Sequence, residues 1–270
     1  MPRPLKILKG IVLEDMAATR EKVSKLLGDS VATTEEALAQ LSDCLRLLLE
    51  IDRATKADRS IVDLGARFWN DIRASNTLLH EGLILPATMM LRDAVETRVL
   101  AEYFHLHPEQ AEAWQKARNR QERGHFDFKQ IKGDVEDGQK WYDFWNGLSS
   151  YIHPTAKATI TYRNQRPLFG HNLYLGGFYR PFDTVLIFEM QQDICINFLD
   201  SLAHWYKDYV LLDKQLLARI ELLEETHRSQ KSKLFARAES EQKDLDGDIK
   251  ATRLSGDAVI KLFKTLDTLT

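Results

Sequence analysis

The chain has 270 residues, 44% of them hydrophobic and 29% charged, which is enough apolar material for a core and excludes a wholly disordered polymer. Thirty-seven basic against forty acidic side chains leave a net charge of −3, so any nucleic-acid partner must be met by a local patch rather than by global charge. Cys44 and Cys195 are too few for a disulfide framework and have no metal-ligating companion nearby; no apolar run reaches membrane-span length, and the basic start MPRPLKILKG lacks the apolar core of a signal peptide. A soluble, cytoplasmic protein without a cofactor or a metal is the expectation.

Taken in chain order, residues 1–29 read as an N-terminal segment, 30–210 as a helical core domain and 211–270 as a charged helical extension. Thr33 and Glu36 have capping-box spacing, predicting a helix from there to about Lys56 with Leu38, Leu41, Leu45, Leu48 and Leu49 on one face. A second helix is predicted over about Arg59–Glu81 with Gly82 as its stop, and a third from Leu85-Pro86 to about Leu106. Pro108 opens a fourth that runs to about Glu122, and further helices are predicted over Gly138–Ile152 and Asp183–Tyr209. Between them, Thr159–Tyr162 and Leu173–Leu175 are short β-type runs, so a small hairpin or ordered loop is expected near 158–179. Leu216, Ile220 and Leu223 make a narrow stripe that His227 and Gln230 interrupt; 239–257 reads as a polar linker and Val259–Leu269 as an amphipathic tail. The predicted fold is mainly α: a bundle of about five to seven helices with a C-terminal helical extension.

Three constellations carry chemistry. On the third helix Arg92 and Glu96 are four apart and share a face, with Tyr103 two turns further along. They serve either as a structural ion pair or as an anion holder, Arg92 gripping a phosphate while Glu96 orients it. In the segment from Trp141 to Pro154, Trp141, Phe144, Trp145, Leu148 and Ile152 form a core-like stripe, and Asn146, Ser149 and His153 form a separate polar line. Pro154 ends that helix near His153, whose imidazole can cap the terminal carbonyls or act as a general acid/base. Basic residues cluster on both sides: Lys116, Arg118, Arg120, Arg123, Lys129 and Lys132 before it, Lys157, Arg163, Arg166 and Arg180 after it. Such a patch suits a phosphate backbone, and a solvated loop would carry the same residues. No P-loop, dinucleotide fingerprint or nucleophile elbow is present, and His105-x-His107 has no third ligand at metal spacing.

Leu91-Arg92-x-x-x-Glu96 with Tyr103, followed by Leu148-Ser149-x-x-x-His153-Pro154, resembles a group of bacterial helical proteins related to the HEPN superfamily, over roughly 60–210. The resemblance implies a helical bundle. Many HEPN domains are metal-independent ribonucleases of toxin–antitoxin, abortive-infection and CRISPR-linked systems, others are non-catalytic, and composite sites across a homodimer are common. Their signature is an arginine, often with a polar follower, separated by four to six residues from a histidine. Arg118-Asn119 to His125 and Arg120 to His125 fit it, as do the spacings Arg73–His80, Arg98–His105 and Arg166–His171. His153 has no arginine at that spacing, so the resemblance points to Arg92, from another helix, as its companion.

Two functions follow from different classes. One is a metal-independent RNA-cleaving or RNA-binding protein, the effector of a bacterial defence or toxin module. Its catalytic set is Arg92, Glu96 and His153, with Arg118, Arg120 and His125 as second choice. Lys116, Arg118, Arg120, Arg123, Lys157, Arg163 and Arg166 would bind RNA, with Tyr103, Asn146 and Ser149 in support. The other is a non-catalytic scaffold or protein-binding module in which Arg92–Glu96 and His153 are structural. In either case a homodimer, or a partner docked on the C-terminal helix, is expected.

Overall fold

Residues 17–27 form the helix α1, which ends at Gly28, a glycine with φ of +51° that turns the chain into α2 (Ser30–Leu49). The computed structural model describes residues 17–51, 54–152, 163–164, 172–173, 179–210 and 214–246. Thr33 and Thr34 do not cap α2: the helix starts three residues earlier, and both side chains are buried inside it. The capping box stands instead before α3 (Lys56–His80), where the Thr55 hydroxyl accepts from the Asp58 N–H at 3.1 Å and the Thr55 N–H donates back to Asp58 at 2.7 Å. An aspartate at the third helical position, rather than the usual glutamate or glutamine, hid this start inside the end of the helix expected to run to about Lys56.

Gly82 has φ of +71°, with its N–H on the Leu79 carbonyl and the Leu83 N–H on the Leu78 carbonyl. That is a Schellman stop, and it folds α4 (Ile84–Leu106) back along α3. After α4 come α5 (Pro108–Lys116) and then three short turns: α6 (Arg120–Arg123), a 3-10 turn (Gly124–Phe126) and α7 (Phe128–Ile131). The helix predicted to run from Pro108 to Glu122 therefore breaks at Ala117, whose backbone is extended.

The helix α8 (Gly138–Ile152) has the predicted bounds. The expected hairpin is a two-residue antiparallel ladder, Arg163 opposite Leu173 and Asn164 opposite Asn172; the runs expected to form it lie almost wholly outside the described residues. The chain continues through α9 (Pro181–Trp205), α10 (Lys207–Val210) and α11 (Lys214–Asp246). Mainly α is thus the observed fold class, with more helical segments than the five to seven expected, because short turns replace single long helices.

One core joins these elements, and it crosses the boundaries drawn at 30 and 210. Val23, Leu26 and Leu27 of α1 are in it, as are Leu216, Ile220, Leu223, Leu234 and Ala238 of α11. The segment 239–246 expected to be linker is the last part of α11, held by Leu234 and Ala238 at helical spacing and by Tyr179 donating to Glu241; residues 247–257 lie outside the described set. Arg237 donates to the Leu26 carbonyl at 2.9 Å, closing a free helix-end acceptor of α1. Among the described residues no helix is long and apolar enough to cross a membrane.

Phe68 of α3 packs on Phe198 of α9 with ring centroids 4.6 Å apart, both fully buried. Phe68→Ala removes that contact and leaves a cavity, so it is expected to cost about 3–5 kcal/mol. A urea titration checks this: the midpoint falls with the slope unchanged, and a loss below about 1 kcal/mol contradicts the packing described.

Candidate functional site

Two arginines on α4, six residues apart, have different fates. Arg98 is buried and pairs with Glu102 one turn on; its Nε donates to Asn197 at 3.1 Å, and its guanidinium lies 4.4 Å over the Trp141 ring. Glu102 also accepts the Glu136 N–H at 2.9 Å. Burial lowers the pKa of Arg98 and the Glu102 carboxylate holds it up, so the pair is a structural knot joining α4, α8, α9 and the turn before α8.

Arg92 stands half-buried, its side chain 26% exposed. Its Nε donates to the Ser149 hydroxyl at 2.8 Å, and its guanidinium lies 4.1 Å from the centre of the Trp145 ring. The hydroxyl in turn donates to the Trp145 carbonyl at 2.8 Å. Trp145 stacks on Tyr142 at 5.7 Å, and Lys132 Nζ lies over the Tyr142 ring, 4.1 Å from its centre. Cation, indole, phenol and cation thus lie in series along α8. The carboxylate touching Arg92 is Asp93, at 3.3 Å, whereas Glu96 acts through its charge without forming a direct bridge. Among the described residues Nη2 of Arg92 has no hydrogen-bond partner.

Two carboxyls of this region have an altered affinity for protons, Glu96 in the field of Arg92 and Asp71 in the field of Asp93. Burial raises Glu96, Arg92 pulls it back and Asp93 pushes it further up. Asp71 of α3 is pushed up to about 6, first by burial and then by Asp93, against the pull of Arg67. Nothing in the sequence singled out Asp71 or Asp93. The first belongs to a surface-like i,i+4 pair with Arg67 and reaches the site through the α3–α4 turn, and the second is simply the neighbour of Arg92. Trp145 had been read as core stripe, yet it is only partly buried and carries Arg92.

The other predicted residues divide. Ser149 joins the site, while Asn146 of the same polar line is exposed. Tyr103 is apart from it: eleven residues of helix beyond Arg92 is about 16 Å, and its ring packs on His107 and Phe104. His153, Lys157 and Arg166 lie outside the described residues, and for Arg163, Arg120 and Arg123 only the backbone is described. Arg118 and His125 are exposed on separate turns, with Asn119 and Glu122 closing a cap between them, so one continuous helix does not present both. Lys116 is tied to Glu112 at 2.6 Å, and that carboxyl is held down at about 2 by Lys116 and Lys56.

Local backbone geometry fixes where α8 begins. Asp137 has φ of +51°, and a Cβ on Gly138 would stand 2.0 Å from the Lys132 carbonyl oxygen, a contact that only glycine avoids. Both cysteines are buried and their thiols pushed up to about 12, so neither is poised as a nucleophile. Among the described residues no group of His, Cys, Asp and Glu could hold a metal ion. Comparison with protein-family models, with curated proteins and with solved structures found no match for the chain.

Replacing the two arginines separates their roles. Arg98→Ala leaves Glu102 buried without its cation and is expected to cost about 3–5 kcal/mol. Arg92→Ala loses the hydrogen bond to Ser149, the partly exposed pair with Asp93 and one ring contact, about 1–2 kcal/mol. Thermal unfolding of the two variants checks the order, and equal losses contradict it.

Proposed function

We propose that the surface where α4 meets α8 around Arg92 binds RNA and cleaves it without a metal, as the HEPN resemblance implies. The observation that carries the reading is the held guanidinium: Ser149 and Trp145 orient it, Asp93 takes one nitrogen at 3.3 Å, Nη2 has no hydrogen-bond partner among the described residues, and Glu96 stands in its field. Arginine suits a phosphate because its fork stays charged and donates two bonds at once. The chemistry is an in-line transfer. A base takes the proton of the 2′-hydroxyl, the 2′-oxygen bonds to phosphorus, and the 5′-oxygen leaves with a proton, giving a cyclic phosphate and a free 5′-hydroxyl. Arg92 stabilises the charge gathering on the phosphoryl oxygens. Asp71, pushed up to about 6, is suited to hold or release the proton near neutrality, and Glu96 sets the field between them. His153 follows Ser149 by four residues and is the second candidate for proton transfer. Lys132, over the Tyr142 ring that stacks on Trp145, adds a second cation toward the first turn of α8, and two buried thiols agree with a reducing cytoplasm. A homodimer and a role in a defence or toxin module belong to the same reading.

A second reading has its own support. The contacts of Arg92 with Ser149 and Trp145 tie α8 to α4, which is what an arginine in a non-catalytic scaffold does.

Labelled single-stranded and structured RNA, incubated in chelator, tests both. Under the first reading wild type cleaves, Arg92→Gln and Asp71→Asn lose at least about a hundredfold while remaining folded, and the rate rises with pH through about 6 as Asp71 ionises. Loss in His153→Ala with full activity in Asp71→Asn moves the base to His153. Absence of both cleavage and RNA binding in folded wild type leaves the scaffold reading in place.

A further inference from the structure

The buried face between α9 and α11 carries four ionisable side chains that the proposed RNA site does not use. Glu189 and Asp193 are one turn apart on α9, and His227 and Lys231 are one turn apart on α11. Glu189 is fully buried, and neither of its oxygens accepts a hydrogen bond; His227 Nδ1 is 3.8 Å away. The imidazole itself lies between two oxygens, Nδ1 at 3.1 Å from Gln192 Oε1 and Nε2 at 2.5 Å from Asp193 Oδ1. Gln192 commits its amide N–H groups to the Ser30 carbonyl and the Thr34 hydroxyl, so its oxygen faces the ring as an acceptor. A ring with acceptors at both nitrogens satisfies them as the imidazolium. Lys231 Nζ adds a second cation on Asp193 at 3.1 Å.

The neighbours of this layer do not supply another charge to Glu189. Toward it α2 presents Ser30 and Thr34, and α3 presents Ser75, which takes the Gln191 amide; none of these titrates near neutrality. On α4 the charged Arg98 meets α9 two turns on, at Asn197 and Ser201. Glu224, one turn before His227 on α11, is pushed up by burial and then by Asp200 and Glu221, against the pull of Arg228 and His227. Glu189 therefore depends on His227 and Lys231 alone to offset the cost of being ionised without hydrogen bonds in the interior.

We propose that this layer is a proton-dependent latch: α11 lies against α9 while Glu189, facing His227 and Lys231 without a hydrogen bond, is a neutral acid, and its hold loosens as that proton leaves. Docked, the layer binds more protons than the separated helices do in water, so stability of the α11 contact falls as pH rises. The carboxyl of Glu189 is pushed up to about 7, chiefly by burial, against about 4.3 for a free glutamate. Its contribution is complete below the free value and is lost as pH climbs through the docked value. The window is pH 5 to 8.

Hydrogen exchange of the full chain, corrected for the intrinsic pH dependence of amide exchange, tests the latch. Amides of 216–238 are compared with those of α3 and α4. From pH 5 to pH 8 the opening equilibrium of α11 is expected to rise by one to two orders of magnitude, about tenfold for each pH unit over which docking retains a proton. Glu189→Gln keeps the shape without the titration and should hold the pH 5 protection throughout. Lys231→Gln, at the edge of the layer, removes a cation that favours the ionised acid and should move the midpoint to higher pH. Protection of α11 that is flat from pH 5 to 8 in wild type overturns the proposal. So does a midpoint that falls in Lys231→Gln, or a Glu189→Gln protein that keeps the wild-type profile.

Discussion

The helix α9 is enclosed on every side, by α2, α3, α4 and α11, and a helix so placed cannot choose its neighbours by hydrophobicity alone. Any apolar face would accept any other. What distinguishes the directions is one polar contact for each neighbour. Gln192 reaches the Ser30 carbonyl and Thr34 of α2, Gln191 reaches Ser75 of α3, Asn197 and Ser201 meet Arg98 of α4, and Glu189 with Asp193 meets His227 and Lys231 of α11. A buried polar group left unpaired costs on the order of 1–3 kcal/mol, so a rotated or slipped α9 would forfeit several such bonds together. The apolar contacts supply the bulk of the stability and the polar ones select one arrangement.

That selection passes outward to the candidate site. Arg98 meets α9 on one side, and on the other it stacks on Trp141 while its partner Glu102 holds the Glu136 N–H in the turn that starts α8. The pitch and rotation of α8 are thereby set from its first turn, where Gly138 sits against the Lys132 carbonyl. Two turns later the same helix face presents Trp145 and Ser149 to Arg92. The buried pair therefore positions the half-exposed one, and the two arginines are a support and a working group on one helix rather than duplicates.

Much of this was legible in the sequence where one local rule decided the outcome. The bounds of α8, the stop at Gly82 and the mainly helical class follow from helical periodicity and from residues with special backbone freedom. Arg92 and Ser149 were found because their residue types at their spacing suggest chemistry, and the fold does bring them into contact. What failed depended on partners far along the chain. The capping box at Thr55 carries aspartate in place of the usual glutamate or glutamine and fell inside the expected end of α2, and 239–246 looked like linker because the contacts that hold it, Leu234, Ala238 and Tyr179, lie earlier in the chain or in another segment. Arg98–Glu102 was readable as an i,i+4 pair, but its burial was not, since charge composition alone predicts solvent. His227 was noticed only as a break in a stripe, because the oxygens that explain it belong to α9.

The four keys around α9 also differ in what the medium can do to them. Those to α2 and α3 are amides and hydroxyls, which do not change charge in water near neutrality. The key to α4 is an arginine, which keeps its proton. The key to α11 holds a carboxyl without hydrogen bonds, Glu189, whose proton affinity burial raises. Among these four keys it is the contact to α11 that a change of protonation at Glu189 loosens. The contacts that α9 makes with α3 and α4, the helices that carry Asp71 and Arg92, do not use that carboxyl, so they can persist while the hold on α11 varies.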